Sequence, residues 1–306
     1  MPTGVMLTSL LINNNKENIH IHLLYDELEK NDIDELTQCV KRFKKEISFY
    51  KIDPTLFYGF PMGEKYQSIH INSMATYYRL YMTEILPKSI EKVLYLDGDL
   101  IVRHSIKPLW MLDIDKYYVA AVPDVFNNNT KHYNRLQYAQ SLGYFNAGVL
   151  LVNLKKWREN NVLESFIAYI KDNAKRLAAH DQDVMNYLFR NDKVFIDLKY
   201  NMQNDFFYRT EYSCLSWEFD EQLHNAQKDP VIVHFTGLFK PWFKECNHPY
   251  KNEFDKYKSA TQWKDVLDIR KLTHIQGFKR KIKKILIRLS LLNKRQDSDF
   301  LYIKPE

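Results

Sequence analysis

Two carboxylates separated by one glycine, Asp97 and Asp99, close the apolar run KVLYLDGDLIV at residues 92 to 102. Val93, Leu94, Tyr95 and Leu96 have the composition of a strand buried on both faces, which carries the acids to its end. Side chains two apart on a strand point the same way, and Gly98 leaves room for a ligand to approach the backbone between them. Such a pair suits Mg²⁺ or Mn²⁺, hard ions that keep coordination sites open for phosphate oxygens. Taken alone, the motif also fits a strand ending in a solvated acidic turn.

A second apolar strand, in VIVHFTGLFKPW at residues 231 to 242, ends in His234. An imidazole there can complete a mixed oxygen and nitrogen site of the kind Mn²⁺ accepts. Lys240 is a mobile point charge suited to phosphate, Gly237 allows close approach, and Pro241 stiffens the exit of the loop. His234 by itself is more often a hydrogen-bonded core histidine; the two motifs together describe a metal diphosphate site.

Four motifs make the chain resemble the retaining glycosyltransferases of family 8. These are YLDGDLIV, FNAGVLLVNLKKWR (residues 145 to 158), HDQDVMNYLF (residues 180 to 189) and HFTGLFKPW. The resemblance covers roughly residues 1 to 250 and implies the GT-A nucleotide-diphospho-sugar fold, an α/β architecture with a single mainly parallel sheet flanked by helices. It implies that Asp97, Asp99 and His234 hold Mn²⁺, with Mg²⁺ as the alternative ion, against the diphosphate of a UDP-hexose. Gly98, Gly237 and Lys240 then belong to the donor-binding surface. Arg79, in SMATYYRL, matches a family arginine that reaches the donor, where a planar guanidinium suits bidentate contact. On the bland reading Arg79 is a surface helix arginine.

Asp124, Asn146, Ala147, Asp181 and Gln182 fall where the family lines the donor sugar. Asn146 both donates and accepts, Ala147 permits close approach, and Asp181 can accept from hydroxyls. Asp181 also reads as a helix N-cap, because Val184, Tyr187 and Leu188 follow at helical spacing. Asp124 after YVAAVPD reads equally as a turn acid. Gln182 is placed beneath the anomeric carbon. An amide is a poor nucleophile, so same-face transfer is expected, with the departing phosphate oxygen assisting deprotonation of the acceptor hydroxyl.

The elements that must position these residues alternate along the chain. Strand-like runs at residues 19–25, 93–96, 118–122 and 194–198 alternate with helical segments such as 33–44 and 162–176, which argues for an α/β sheet with its site beyond the strand carboxyl ends. MPTGVMLTSLLINN reads as a helix with Val5, Leu7, Leu10 and Leu11 on a buried face. The strand that precedes this helix in the family, ending in Ala-x-Asp and an aromatic residue, has no counterpart. The expectation is therefore a longer natural chain or a truncated variant, with open backbone edges where the strand belongs.

At 306 residues and 45% apolar content the chain can bury one large core. We expect a catalytic domain at residues 1–250 and a helical, basic tail at 251–306. Cys39, Cys214 and Cys246 show no metal-ligand spacing and are odd in number, which fits a reducing cytoplasm. No signal peptide and no membrane-spanning run is recognisable. GFKRKIKKILIRLSLLNKRQ, residues 277 to 296, holds eight basic residues and no acid, leaving 36 basic against 38 acidic residues elsewhere. Phe278, Ile282, Ile285, Leu289 and Leu292 form one helical stripe among those cations, the pattern of a helix on an anionic membrane surface. A docked helix with a solvated basic face is the alternative, and nucleic acid is disfavoured because the charges flank a strongly apolar stripe.

The expected enzyme is a peripheral protein of the inner face of the cytoplasmic membrane. It moves galactose or glucose to a lipopolysaccharide, lipooligosaccharide or related lipid-linked glycan. Two other classes compete with this reading. A haloacid-dehalogenase phosphatase also uses two aspartates two apart, but its motif continues with Gly-Thr, whereas Leu100 and Ile101 follow here. A catalytically silent glycan- or membrane-binding protein is suggested by the absent strand.

Overall fold

The computed structural model describes residues 1–61, 73–207, 215–273 and Ile282. The nine named strands fall into three hydrogen-bonded sets. β1 (His20–Tyr25) pairs with β2 (Glu46–Lys51). β3 (Lys92–Leu96), β6 (Phe145–Asn153), β5 (Val119–Pro123) and β7 (Lys193–Phe195) form the second set in that order. β4 (Leu100–Val102), β9 (Ile232–His234) and β8 (Met202–Gln203) form the third.

The α/β architecture is as expected, but a single mainly parallel sheet is not what the described pairings give. β1 with β2, β5 with β7 and β8 with β9 are parallel; β3 with β6, β5 with β6 and β4 with β9 are antiparallel. The antiparallel pairs arise because the long β6 is threaded between β3 and β5 against both. Its alternation builds two cores. Val149 and Leu151 join Val5, Leu7 and Leu11 of the first helix, α1 (Pro2–Asn13), whereas Leu150 and Val152 join Trp157 and Phe166. A strand covered on both faces reads as an unbroken apolar run for this reason.

α1 is buried on nearly every side, Gly4 to Leu11 without exception. Trp263 lies so close to Gly4 that a Cβ there would meet the indole at 1.9 Å. Asn13 Nδ2 donates to Val102 O and to Tyr257 Oη at 2.9 and 2.8 Å, tying α1 to β4 and to the helix Lys251–Ser259. α2 (Lys30–Lys41) ends earlier than the pattern suggested, at a turn in which Lys44 takes a φ of 55°. The expected strand 194–198 stops at Phe195, because Asp197 turns the chain by accepting from the Lys199 amide at 3.0 Å.

β3 departs most from its sequence signature. All five of its residues are only half-buried. A cavity of about 1170 Å³ runs between β1 and β3 and is lined by the whole of both strands. Among the described residues β1 pairs only with β2 and β3 only with β6, so each turns an unpaired edge toward that cavity.

Candidate active site

The two carboxylates stand where the chain changes sheets. Asp97 leaves β3 and donates its amide to Gly148 O at 2.9 Å, and Asp99 precedes β4, its carbonyl accepting from the Phe235 amide at 3.0 Å. They are therefore not two residues of one strand. They are brought together by the strands on either side, β6 for one and β9 for the other. Register then sets the third group, since Leu100 pairs with His234 across β4 and β9.

Ligand atoms of Asp97, Asp99 and His234 all lie within 4.8 Å of one another. His234 Nε2 is 3.1 Å from Asp99 Oδ1 and 3.6 Å from Asp97 Oδ2. Its other nitrogen, Nδ1, is 2.9 Å from Asn201 Oδ1. The amide orientation of Asn201 is fixed because its Nδ2 donates to Asn146 Oδ1 at 2.8 Å, and that oxygen also accepts from the Gly148 amide at 3.0 Å. Nδ1 is therefore the protonated nitrogen, and Nε2 turns its lone pair on the carboxylates. A lone pair facing two anionic oxygens calls for a cation between them, a proton or a metal. The oxygen and nitrogen donor set fits Mn²⁺ or Mg²⁺.

Lys240 supplies a second cation. Its Nζ is 2.6 Å from Asp99 Oδ2 and 2.5 Å from Phe235 O. Burial alone would raise the Asp99 carboxyl, but Lys240 and His234 outweigh it and hold the group below the usual carboxylate range. Gly148 has to be glycine here, since a Cβ would lie 2.1 Å from the His234 ring and 2.8 Å from Asp97 Oδ2. A Cβ at Gly237 would likewise fall 2.1 Å from Asn204 Nδ2, and one at Gly98 would meet Thr3 Oγ1 at 3.0 Å.

Arg79 is no surface arginine; it is 5% exposed. It extends from the 3-10 segment Met74–Tyr81 over the ring of Tyr95 at 4.3 Å. Its Nη2 meets Asp97 Oδ1 at 3.0 Å, Nη1 donates to Ala147 O, and Nε donates to Thr76 O at 3.1 Å. Asp181 Oδ2 is also 3.0 Å from Nε, yet that buried oxygen accepts no hydrogen bond. Burial pushes the Asp181 carboxyl up to about 7 in spite of Arg79.

The helix His180–Leu188 begins one residue before Asp181, so Asp181 is not its cap. No side chain caps the helix; Asp183, within its first turn, instead accepts from the amides of Ala178 and Ala179 ahead of it at 2.7 Å each. His180 takes a φ of 48° to make the turn. Tyr144 Oη, at 2.8 Å, and both Arg135 terminal nitrogens, at 2.6 and 2.9 Å, saturate the Asp183 carboxylate. Gln182 is thereby held with Oε1 accepting from the Ala147 amide at 2.9 Å and Nε2 donating to Asp124 Oδ2 at 3.2 Å. Asp124 Oδ2 also takes Asn146 Nδ2 at 3.0 Å, and its Oδ1 takes the Phe126 amide at 2.9 Å.

Ten of the twelve residues singled out from the sequence are joined in one network, Gly98 lies between its two acids, and Gly237 stands apart against Asn204. Asn201, Gly148, Tyr95, Asp183 and Arg135 also belong to the network and were missed. Gly148 stands inside the quoted FNAGVLLVN motif, so its signal was present; Asn201 and Arg135 lie in segments with no recognisable pattern.

The sequence profile described as "Glycosyl transferase family 8" matches residues 1–246. The chain belongs to that family. This family 8 glycosyltransferase is 28% identical over 269 residues to general stress protein A of Bacillus subtilis, an alignment covering 86% of this chain and 90% of that protein. It is 27% identical over 293 residues to a lipopolysaccharide 1,2-glucosyltransferase of Escherichia coli, covering 95% and 83%. Its fold superposes on the galactosyltransferase LgtC, solved with donor and acceptor sugar analogs, with a TM-score of 0.77 at 26% identity, covering 85% of this chain and 92% of that one. The GT-A-like fold and the glycosyltransferase class are thereby established for this enzyme, and the phosphatase alternative falls away.

Proposed function

We propose that this family 8 enzyme transfers galactose or glucose from a UDP-sugar to a lipopolysaccharide, lipooligosaccharide or related glycan, with retention at the anomeric carbon. The observation that carries the reading is the convergence of Asp97, Asp99 and His234 within 4.8 Å, beside the buried and unsatisfied Asp181 oxygen. Asp97, Asp99 and His234 would hold Mn²⁺, or Mg²⁺ in its place, and the ion would supply charge neutralisation for the departing diphosphate.

The chain's own side chains do the rest. Lys240 can swing from Asp99 to a phosphate oxygen, and the loop at Gly98 and Gly237 admits the diphosphate to the backbone. Arg79, held by Asp97, Asp181 and Tyr95, keeps a fixed positive charge against the donor. Asp181 Oδ2 is an acceptor ready for a sugar hydroxyl. Asn146, Ala147 and Asp124 fix Gln182, whose amide is engaged at both ends, so its role is to support charge at the anomeric carbon rather than to attack it. The bond from that carbon to the phosphate oxygen breaks, the acceptor oxygen bonds on the same face, and its proton passes to the departing phosphate.

The acceptor assignment is supported by the E. coli relative's name. Membrane association at the inner face of the cytoplasmic membrane, through the basic stretch 277–296, completes the proposal; the tail expected at 251–306 is not separate at its start, since Phe254, Tyr257 and Trp263 pack in one core with α1. That stretch lies outside the described residues, Ile282 excepted, and among the described residues no helix is long and apolar enough to cross a membrane. Deleting residues 275–306 is expected to release the protein from anionic vesicles; unchanged sedimentation would remove this part.

The deciding assay is UDP release from UDP-galactose and UDP-glucose, with Mn²⁺ or chelator, in this chain and in the Asp97→Asn, Asp99→Asn double variant. Metal-dependent release lost in the variant supports the proposal and names the sugar. Release indifferent to both metal and substitution would sink it.

A further inference from the structure

Residues 268–272 are fastened at three successive places to the segment that follows β9 and carries Lys240. Asp268 is held by two lysines of the helix Lys251–Ser259, Lys251 Nζ at 2.7 Å and Lys258 Nζ at 3.2 Å, and Lys251 also donates to Pro241 O at 2.7 Å. Phe243 and Ile269 form a parallel bridge, in which the Ile269 amide donates to Trp242 O and Ile269 O accepts from the Lys244 amide, both at 3.0 Å. The Glu245 carboxylate then accepts from the amides of Lys271 and Leu272, at 3.0 and 3.2 Å. Backbone fixed on both sides of Lys271 fixes the direction in which its side chain leaves.

That direction is back onto the loop. The Lys271 ammonium lies over the Phe243 ring at 4.8 Å and donates to Leu238 O, beside Gly237, at 3.3 Å. Lys240, on the same loop, reaches Phe235 O at 2.5 Å and Asp99 Oδ2 at 2.6 Å. Two ammoniums therefore rest on carbonyls of one short loop. Burial and, after it, Lys240 push the Lys271 ammonium below its ordinary value, so the two charges act on each other. Among the described residues Lys271 makes no ion pair: both Glu245 oxygens accept from backbone amides, and Asp268 is taken by Lys251 and Lys258. An ammonium has three donors, and a single carbonyl uses one of them. Like charges set side by side with carbonyl partners repel, and an anion arriving between them turns that repulsion into attraction.

We propose that Lys271 is a second phosphate-binding lysine, which joins Lys240 on the diphosphate of the nucleotide donor. The identity of the anion rests on the function proposed above. The four-carbon stem of lysine lets Nζ leave Leu238 O for a phosphate oxygen while the backbone stays fastened at Glu245 and Ile269. The donor site then draws a residue from beyond position 250, where the catalytic domain was expected to end. The competing role for Lys271 is a strut, an uncharged service that braces the loop at Leu238 O.

Isothermal titration separates the two roles. UDP in saturating MnCl₂ is titrated into wild type, Lys271→Arg, Lys271→Gln and Lys271→Met, and MnCl₂ without nucleotide is titrated into the same four proteins. Gln keeps a donor for Leu238 O and loses the charge, whereas Arg keeps the charge. The expected result is UDP binding weakened by about 10-fold in Gln and Met alike, the loss of one charge-assisted hydrogen bond, with part of it recovered in Arg. MnCl₂ affinity should be equal in all four, which also shows that each variant folds around an intact metal cluster. Wild-type UDP affinity in Lys271→Gln with a loss in Lys271→Met makes the residue a strut and overturns the proposal. Equal UDP affinity in all four, or MnCl₂ affinity falling in step with UDP, overturns it as well. A wild-type protein that binds MnCl₂ but no UDP would overturn the donor assignment itself, and this proposal with it, so the two failures are told apart by the wild-type titration.

Discussion

His234 Nδ1 stands 2.9 Å from Asn201 Oδ1, on the side of the imidazole away from Asp97 and Asp99. That one hydrogen bond decides the tautomer and aims Nε2 at the carboxylates. Asn201→Ala removes it and should weaken Mn²⁺ binding by about 10- to 100-fold, the usual effect of losing a partner that orients a ligand. Asn201→Asp keeps the acceptor and should recover part of the loss, though it cannot donate to Asn146. Isothermal titration with MnCl₂ reads both variants, and equal affinity in wild type and Asn201→Ala would show that the tautomer is set elsewhere.

At Gly148 the backbone runs hard against this cluster. A Cβ placed there falls 2.1 Å from His234 Cε1, 2.7 Å from Nδ1 and 2.8 Å from Asp97 Oδ2. Gly148→Ala should therefore displace both side chains, abolish measurable Mn²⁺ binding and cost about 1–3 kcal/mol from overpacking. Thermal unfolding with and without Mn²⁺ checks this. A variant still stabilised by the ion as strongly as wild type contradicts it.

The carboxylate of Asp183 is fully buried and saturated by Arg135, Tyr144 and two amides of the turn before Asp181. Removing the guanidinium in Arg135→Met leaves a buried charge short of its counterion and should cost about 3–5 kcal/mol. Arg135→Lys keeps the charge without the fork and should fall between the two. Because the turn carries Asp181 and Gln182, kcat should fall in Arg135→Met while KM for the UDP-sugar, governed by the metal side, changes little. Equal loss in both parameters would mean that the turn serves binding alone.

His248 sits between the rings of Phe207 and Phe235, with Nδ1 accepting from the Tyr250 amide at 3.1 Å. Burial pushes its pKa down to about 3. The unfolded chain binds that proton near pH 6.5. The folded protein stays unprotonated until about pH 3, so between these values the unfolded state holds the extra proton. This contribution to stability is complete above about pH 6.5 and is lost progressively as pH falls through that window. His248→Gln should flatten the dependence by up to about 1.4 kcal/mol per pH unit. Urea unfolding at pH 4, 5 and 6 gives the slopes, and parallel lines for the two proteins would refute the assignment.

The sequence by itself determined the chemistry of this protein and the order of its elements. Two acids two apart, a histidine after an apolar run and the motifs at Asn146 and Asp181 are local patterns, and local patterns survive without coordinates. β6 holds Val149, Leu150, Leu151 and Val152 in an unbroken apolar run, the composition of a strand covered on both faces, which its two cores provide. Tertiary structure decided what depends on neighbours distant in the chain. Register across β4 and β9 set His234 beside Asp99. Arg79 became a buried ion-pair centre, because a 3-10 segment is indistinguishable in sequence from a surface helix until Asp97, Tyr95 and Asp181 close around it. Asp181 fell inside the helix rather than at its cap because the helix starts at His180, which takes a left-handed φ. β3 looked like an interior strand in composition and is half-buried in fact, since burial belongs to the partners on both edges and only one edge has its partner among the described residues.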